Sequence, residues 1–80
     1  MLKYSFEELA NDLKIGHEVE FSFQGDQYSI SHNKSEWHFT KFGDDKFETY
    51  PNCISLLKDA RINSKSIENI WDEVEVNSIF

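Results

Sequence analysis

The chain has 80 residues, of which 39% are hydrophobic and 15% aromatic, and its net charge is -7. This length suits one small domain, and the aromatic content is high enough to fill a core, which excludes extended disorder. Eight basic residues against fifteen acidic ones argue against direct binding to nucleic acid or to an anionic membrane. A basic protein partner fits the charge, and so does solubility alone.

The single cysteine, Cys53, cannot form an intrachain disulfide, which favours a reducing compartment. The chain is polar from Lys3 and acidic from Glu7, so no secretory signal is predicted. No apolar run is long enough to cross a bilayer. We therefore expect a cytoplasmic protein that forms one domain, residues 1–80.

The first element is predicted to be a helix over residues 6–15. Ser5 and Glu8 have the spacing of a capping box, and Gly16 suits the left-handed position that follows a helix. Between them, apolar residues recur at helical spacing and predict one buried stripe. The stripe consists of Phe6, Leu9, Ala10 and Leu13.

Residues 18–30, EVEFSFQGDQYSI, alternate apolar and polar side chains on both sides of Gly25-Asp26, which predicts a β-hairpin. Gly25 and Asp26 suit a two-residue turn of type II′. All apolar side chains then lie on one face, and a slip by one residue would turn those of one strand to solvent. The expected pairs are Phe23 with Tyr28, Phe21 with Ile30, and Val19 with His32.

Two further strands are predicted at residues 37–42 and 46–50, joined by turns short enough for an antiparallel meander. Trp37 and Phe39 lie on one face of the third strand, and other aromatic side chains lie on the opposite face. One layer of helices cannot bury both sets. Either the C-terminal helices cover part of the second face, or an exposed aromatic patch there contacts a protein partner or a second copy of the chain. The residues assigned to the second face are His38, Phe42 and Tyr50.

The C-terminal part is predicted to be mainly helical. Asn52 can cap a second helix that ends at Ile62 and Asn63, with Asn63 in a left-handed cap, and residues 64–74 predict a third helix. Residues 75–80 form either a short edge strand or irregular chain. The predicted fold is α+β, with an N-terminal helix, a three- or four-stranded antiparallel β-meander and two short C-terminal helices that cover one face of the sheet.

The residues that most often carry catalysis or bind metals form no recognisable pattern. His17, His32 and His38 lack the cysteine or carboxylate pair that would complete a zinc motif. Cys53 falls on the apolar stripe of the second helix, and the glycines are too scattered for a phosphate-binding loop. We predict no catalytic, cofactor or metal site, with a small metal-dependent or cysteine enzyme as a weaker hypothesis.

Acidic side chains on the first helix and on the polar face of the hairpin are the remaining surface feature. If the two surfaces adjoin, the patch could imitate the phosphate rows of DNA and occupy a basic nucleic-acid channel. The simpler explanation is that charge keeps exposed strands from aggregating. The candidate partner-binding residues are Glu7, Glu8, Asp12, Glu18, Glu20, Phe42 and Tyr50.

Residues 6–30, FEELANDLKIGHEVEFSFQGDQYSI, and residues 60–80, ARINSKSIENIWDEVEVNSIF, resemble small acidic proteins of Firmicutes and their prophages. In these proteins a short helix leads to a hairpin similar to EFxxxGxxYSI, and a segment similar to IWDEVEV closes the domain. The resemblance covers most of the chain and contains no catalytic motif. It implies a cytoplasmic protein encoded on a mobile element, and it implies no functional residues.

Two functions are compatible with these features. The first is a non-enzymatic interaction domain that binds a protein partner. The second is an anti-defence inhibitor of the anti-CRISPR or anti-restriction type, which blocks a basic nucleic-acid-binding site by acidic mimicry. Binding by mimicry should weaken steeply with salt, whereas a mainly apolar contact should not.

Overall fold

A computed structural model describes residues 4–80 as three α-helices, a 3-10 turn and seven strands. The first part contains α1 (Phe6–Lys14), β1 (Val19–Phe23), β2 (Asp26–His32), β3 (Trp37–Lys41) and β4 (Phe47–Tyr50). The second part contains α2 (Cys53–Asp59), β5 (Arg61–Ile62), β6 (Lys65–Ser66), α3 (Ile67–Ile70), the 3-10 turn (Trp71–Glu73) and β7 (Glu75–Ile79).

The predicted α+β class is confirmed. β1 to β4 form an antiparallel meander, and β7 extends it to a five-stranded sheet of order β4-β3-β2-β1-β7. β5 and β6 pair separately as a small hairpin. The sheet therefore has β4 and β7 as its two edge strands.

The capping box predicted for α1 is confirmed. The Ser5 hydroxyl accepts the Glu8 N–H at 3.0 Å, and the Glu8 carboxylate accepts the Ser5 N–H at 3.2 Å. Gly16, with φ of +99°, takes the left-handed position after the helix. Leu9 and Leu13 are buried, so α1 packs through the predicted stripe.

The predicted register of the β1–β2 hairpin is wrong by two residues. Val19 pairs with Ile30, Phe21 with Tyr28, and Phe23 with Asp26. The turn residues are Gln24 and Gly25, whose φ values of 52° and 84° are those of a type I′ turn rather than type II′. Because the shift is an even number of residues, every apolar side chain keeps its predicted face, and alternation alone could not reveal the error.

Residues 75–79 form an edge strand, the first of the two conformations considered for the tail. β7 runs antiparallel to β1, with Val76 opposite Phe21. A β-bulge occurs where Glu20 pairs with Ser78, which leaves Asn77 as the additional residue. The Asn77 side-chain oxygen accepts a hydrogen bond from the Ser22 hydroxyl at 2.8 Å, which fixes the bulge to β1.

The predicted end of the second helix and the length of the third are wrong. α2 ends at Asp59 because Ala60 is extended, with φ of -65° and ψ of 141°. Asn63 is left-handed as expected, but it forms with Ser64 the two-residue turn of the β5–β6 hairpin, at φ of 53° and 69°. Residues 61–62 and 65–66 are thus short strands on either side of this turn, and α3 begins only at Ile67.

One face of the sheet, here called the covered face, carries all the helices. Phe21 lies at its centre, stacked on Tyr28 at 5.4 Å and meeting the edge of Trp71 at 5.3 Å between ring centroids. The helices contribute leucines and isoleucines to the same core. The opposite face, here called the open face, has no helix packed on it among residues 4–80. No helix in this part of the chain is long and apolar enough to span a bilayer.

Candidate functional site

Small polar side chains cover most of the open face of the sheet. Strand alternation and pairing place these side chains opposite one another across the sheet, so that Ser29 lies between Glu20 and Thr40. Acidic side chains occur at the β1–β7 end, and aromatic side chains occur at the β3–β4 end. The open-face residues of the five strands are Glu20, Ser22, Gln27, Ser29, Ser31, His38, Thr40, Phe47, Thr49, Glu75 and Ser78.

The aromatic end of the open face is a cluster of His38, Thr40, Phe42 and Phe47, here called the aromatic corner. Phe47 lies directly opposite Thr40. Phe42, in the turn after β3, donates its backbone N–H to the Gln27 carbonyl oxygen at 2.9 Å, which continues the β2–β3 pairing and places Phe42 on the face of Gln27 and Thr40. The two phenylalanines keep 56% and 48% of their surface exposed. Large apolar side chains that face solvent together on a polar sheet are typical of contact surfaces.

His38 positions the Phe47 ring. The two rings lie 4.9 Å apart between centroids and are nearly perpendicular, at 85°. His38 Nε2 lies 3.2 Å from the Asn33 side-chain nitrogen, and in the neutral ring Nε2 accepts this hydrogen bond. The proton then resides on Nδ1, which is buried and has no hydrogen-bond partner among residues 4–80. The Asn33 hydrogen bond at Nε2 thus fixes the His38 imidazole, and the Phe47 ring is held by packing on it.

Tyr50 is not part of this corner, and its predicted place on the second face is wrong. It pairs with Trp37, so its side chain lies on the covered face, half buried against the core. Its hydroxyl donates to Glu48 at 2.6 Å. Burial and this hydrogen bond to a carboxylate both raise the pKa of Tyr50. Phe47, which sequence reasoning did not select, takes the predicted place of Tyr50 beside His38.

Three of the candidate acidic residues have roles within the fold. Glu8 completes the cap of α1. Asp12 accepts a hydrogen bond from the Tyr4 hydroxyl at 2.5 Å. Burial raises the pKa of Tyr4, and this hydrogen bond to a carboxylate raises it further. Glu18 accepts the backbone N–H of His32 at 3.1 Å, where the β1–β2 ladder has ended. These carboxylates are explained by local structure without a partner.

Glu7 of α1 and Glu20 of the hairpin lie on opposite sides of the sheet. Glu7 belongs to the helix layer, on the covered side of the sheet. Glu20 alternates with the buried Val19 and Phe21 and therefore points to the open face. The sheet lies between these two carboxylates, so Glu7 and Glu20 cannot belong to one continuous patch.

The histidines and the cysteine are also accounted for by local contacts. His17 Nδ1 lies 2.8 Å from the Phe80 carbonyl oxygen, and His32 Nε2 lies 2.9 Å from that of Gly16. Cys53 is 7% exposed and belongs to the core. Within residues 4–80, no three histidine, cysteine or acidic side chains group as metal ligands would. Local contacts and core packing thus explain where these four side chains lie.

A groove of about 490 Å³ opens between the β3–β4 end of the sheet and the β5–β6 hairpin. Its floor is formed by Tyr28, Phe39 and Ile62. Lys41 on its rim is paired with Asp26 at 3.6 Å, and the Arg61 guanidinium donates to the Lys58 carbonyl oxygen at 2.7 Å. Two of the three cationic side chains that line the groove, Lys41 and Arg61, thus have partners within the protein, and the third is Lys46. Asp44 and Glu48 also line the groove, so charges of both signs lie along it.

A second groove, of about 480 Å³, lies between α1 and α2 on the covered side. It is more apolar than the first and contains Ile54, which is 60% exposed.

A comparison of the chain with protein-family models, curated proteins and solved structures finds no match. The surfaces described above are therefore the features of the chain that bear on its function.

Proposed function

We propose that the protein is a non-enzymatic interaction domain of the cytoplasm that binds a protein partner through the aromatic corner. The observation that carries this proposal is the joint exposure of Phe42 and Phe47 on an otherwise polar sheet face. Aromatic side chains in the centre of an interface contribute much of the binding energy, and a surrounding polar surface excludes water. The serine and threonine side chains of the open face supply such a surface.

The charge of the chain supports a protein partner over nucleic acid. With a net charge of -7, the domain would repel a phosphate backbone. The open face carries Glu20 and Glu75 at its far end. A partner with an apolar pocket beside basic side chains would fit both ends of this face.

Site-specific photo-crosslinking in the cells that produce the protein tests this proposal. A benzophenone amino acid replaces Phe47 in one variant and Ser29, on the same face, in a control variant. We expect a protein adduct from position 47 that is absent or much weaker from position 29. Equal adducts from both positions, or none from position 47, would contradict the proposal.

The same experiment separates the other hypotheses. An adduct of twice the chain mass would identify the partner as a second copy of the chain. Acidic mimicry would require that the complex dissociate as salt rises and that charge reversal of Glu7, Glu8, Glu18 and Glu20 abolish it. A complex held by the aromatic corner should survive both changes and be lost in the F42S/F47S variant.

A further inference from the structure

The groove between α1 and α2, here called the helix groove, is a second candidate contact surface, on the covered side of the sheet. α1 contributes Phe6, Ala10 and Lys14, which recur every four residues and so lie along one side of the helix. α2 contributes Ile54, Leu57 and Lys58. Two adjacent helices thus present apolar side chains and one lysine each to the same groove.

Ile54 is the residue that packing within the domain leaves unexplained. It occupies the first turn of α2 and is 60% exposed, although the neighbouring Cys53 and Leu56 are buried in the core. An isoleucine on the outer side of a short helix contributes little to folding. In contact with a partner, burial of the same side chain would contribute fully.

The two lysines that line the helix groove have a charge opposite to the net charge of the chain. Lys14 and Lys58 have no carboxylate within salt-bridge distance among residues 4–80, where the Lys41–Asp26 pair is the one ion pair. Glu68 is the single acidic side chain that lines the groove. The helix groove is therefore a locally basic, apolar surface on a protein with a net charge of -7.

We propose that the helix groove binds an amphipathic helix of a partner protein whose apolar face is flanked by acidic residues. From Phe6 to Lys14 the groove follows α1 for about 12 Å, or roughly two helical turns, which matches the apolar face of a docked helix. Isoleucine and phenylalanine side chains contact that face, and the two ammonium groups pair with acidic side chains at its border. The sheet separates this site from the aromatic corner, so the two surfaces can act independently.

Selection from a displayed peptide library tests the proposal directly. The probe is a library of helix-forming peptides that vary between apolar, acidic and basic residues, selected on the immobilised full chain. The wild type should enrich acidic peptides with apolar residues at helical spacing. Those peptides should bind the K14E/K58E variant roughly tenfold more weakly, and a new selection on that variant should enrich basic peptides.

Two controls keep the outcome specific to the helix groove. The K34E/K46E variant has the same change of net charge at positions that do not line the groove, and it should enrich the same acidic peptides as the wild type. I54S changes an exposed side chain and should fold normally while it loses the enriched peptides. The F42S/F47S variant should retain them, so failure of this site is distinguishable from failure of the aromatic corner.

Any one of three results would overturn the proposal. The first is that no peptide is enriched on the wild type. The second is that the wild type and K14E/K58E enrich peptides of the same charge, and the third is that the I54S variant binds the acidic peptides as well as the wild type does. Circular dichroism of each variant confirms that the fold is retained before binding is compared.

Discussion

The two faces of the five-stranded sheet are built from the same strands and follow different rules. On the covered face, Phe21 is fully buried and contacts aromatic rings from three other elements. On the open face, Phe47 keeps 56% of its surface in solvent and contacts mainly His38. The covered face is specified by packing, whereas the composition of the open face is free to serve binding.

The comparison is tested most strongly by the same substitution on both faces. Phe21→Ala should lower the free energy of unfolding by about 3–5 kcal/mol, since it removes a buried ring and leaves a cavity. Phe47→Ala should lower it by less than about 1 kcal/mol, because only one partly exposed ring pair is lost. Urea denaturation followed by tryptophan fluorescence measures both. Similar losses on the two faces would show that the open face also holds the fold together.

The turn that sets the pairing of β1 with β2 gives the next largest effect. Gly25 has φ of +84°, and a Cβ built there would meet no atom within 4 Å, so Gly25→Ala carries only a backbone cost. We expect Gly25→Ala to lower the free energy of unfolding by about 1–2 kcal/mol.

In the type I′ turn, Gln24→Asn should raise the melting temperature, because asparagine tolerates the left-handed conformation better. No gain from Gln24→Asn would favour the type II′ turn instead.

The helices that create the covered face depend on their caps. Ser5→Ala removes one half of the capping box and should cost about 1 kcal/mol of unfolding free energy. Ser29→Ala, the same change on the open face, should stay within about 0.5 kcal/mol. Chemical denaturation of both variants measures the difference. A larger loss at Ser29 would mean that the open-face hydroxyls stabilise the sheet.

Alkaline pH should weaken the covered side selectively. Tyr4, Tyr28 and Tyr50 all pack on that side, and burial raises the pKa of each above its ordinary value of 10.0. The unfolded chain therefore loses these protons first, and stability present below about pH 10 falls as the pH rises further.

The smallest predicted effect is a change in how steeply the stability falls as the pH rises above about 10. The urea midpoint, followed between about pH 8 and pH 11, should fall less steeply in Tyr50→Phe than in the wild type. Phe47→Tyr adds a tyrosine on the open face, where folding should hardly change its pKa, and should leave the slope unaltered. A steeper slope in Phe47→Tyr would place that ring in a buried setting.

Features encoded within a few residues were predictable from the sequence. The capping box at Ser5 and Glu8 and the Asn52 cap of α2 depend on local hydrogen bonds, and both are confirmed. The face of each side chain in β1 and β2 follows from alternation. The exact pairing of β1 with β2 could not be predicted. The predicted turn and the observed turn give pairings that differ by two residues, and both bury the same side chains.

The candidate site was only partly predictable for a related reason. The hydrogen bond of the Phe42 N–H to Gln27 agrees with its predicted place on the face opposite Trp37, whereas Tyr50 pairs with Trp37 and shares its face. β4 is four residues long and has an aromatic residue at each end, on opposite faces, so its pattern fits either orientation. Only pairing with β3 decides that Phe47 joins the open face. The helix groove depends on how two distant helices pack, which no local pattern encodes.

The outer edge of β1 is completed late in protein synthesis. Its partner β7 lies far along the chain, since Ser22 and Asn77 are 55 positions apart, whereas β2 follows after a two-residue turn. Until residues 75–79 leave the ribosome, Val19, Phe21 and Phe23 border a row of unpaired backbone N–H and C=O groups. Such an edge recruits strands from other nascent chains. Translation that stops before β7 should therefore yield insoluble product, even though almost the whole core has been made.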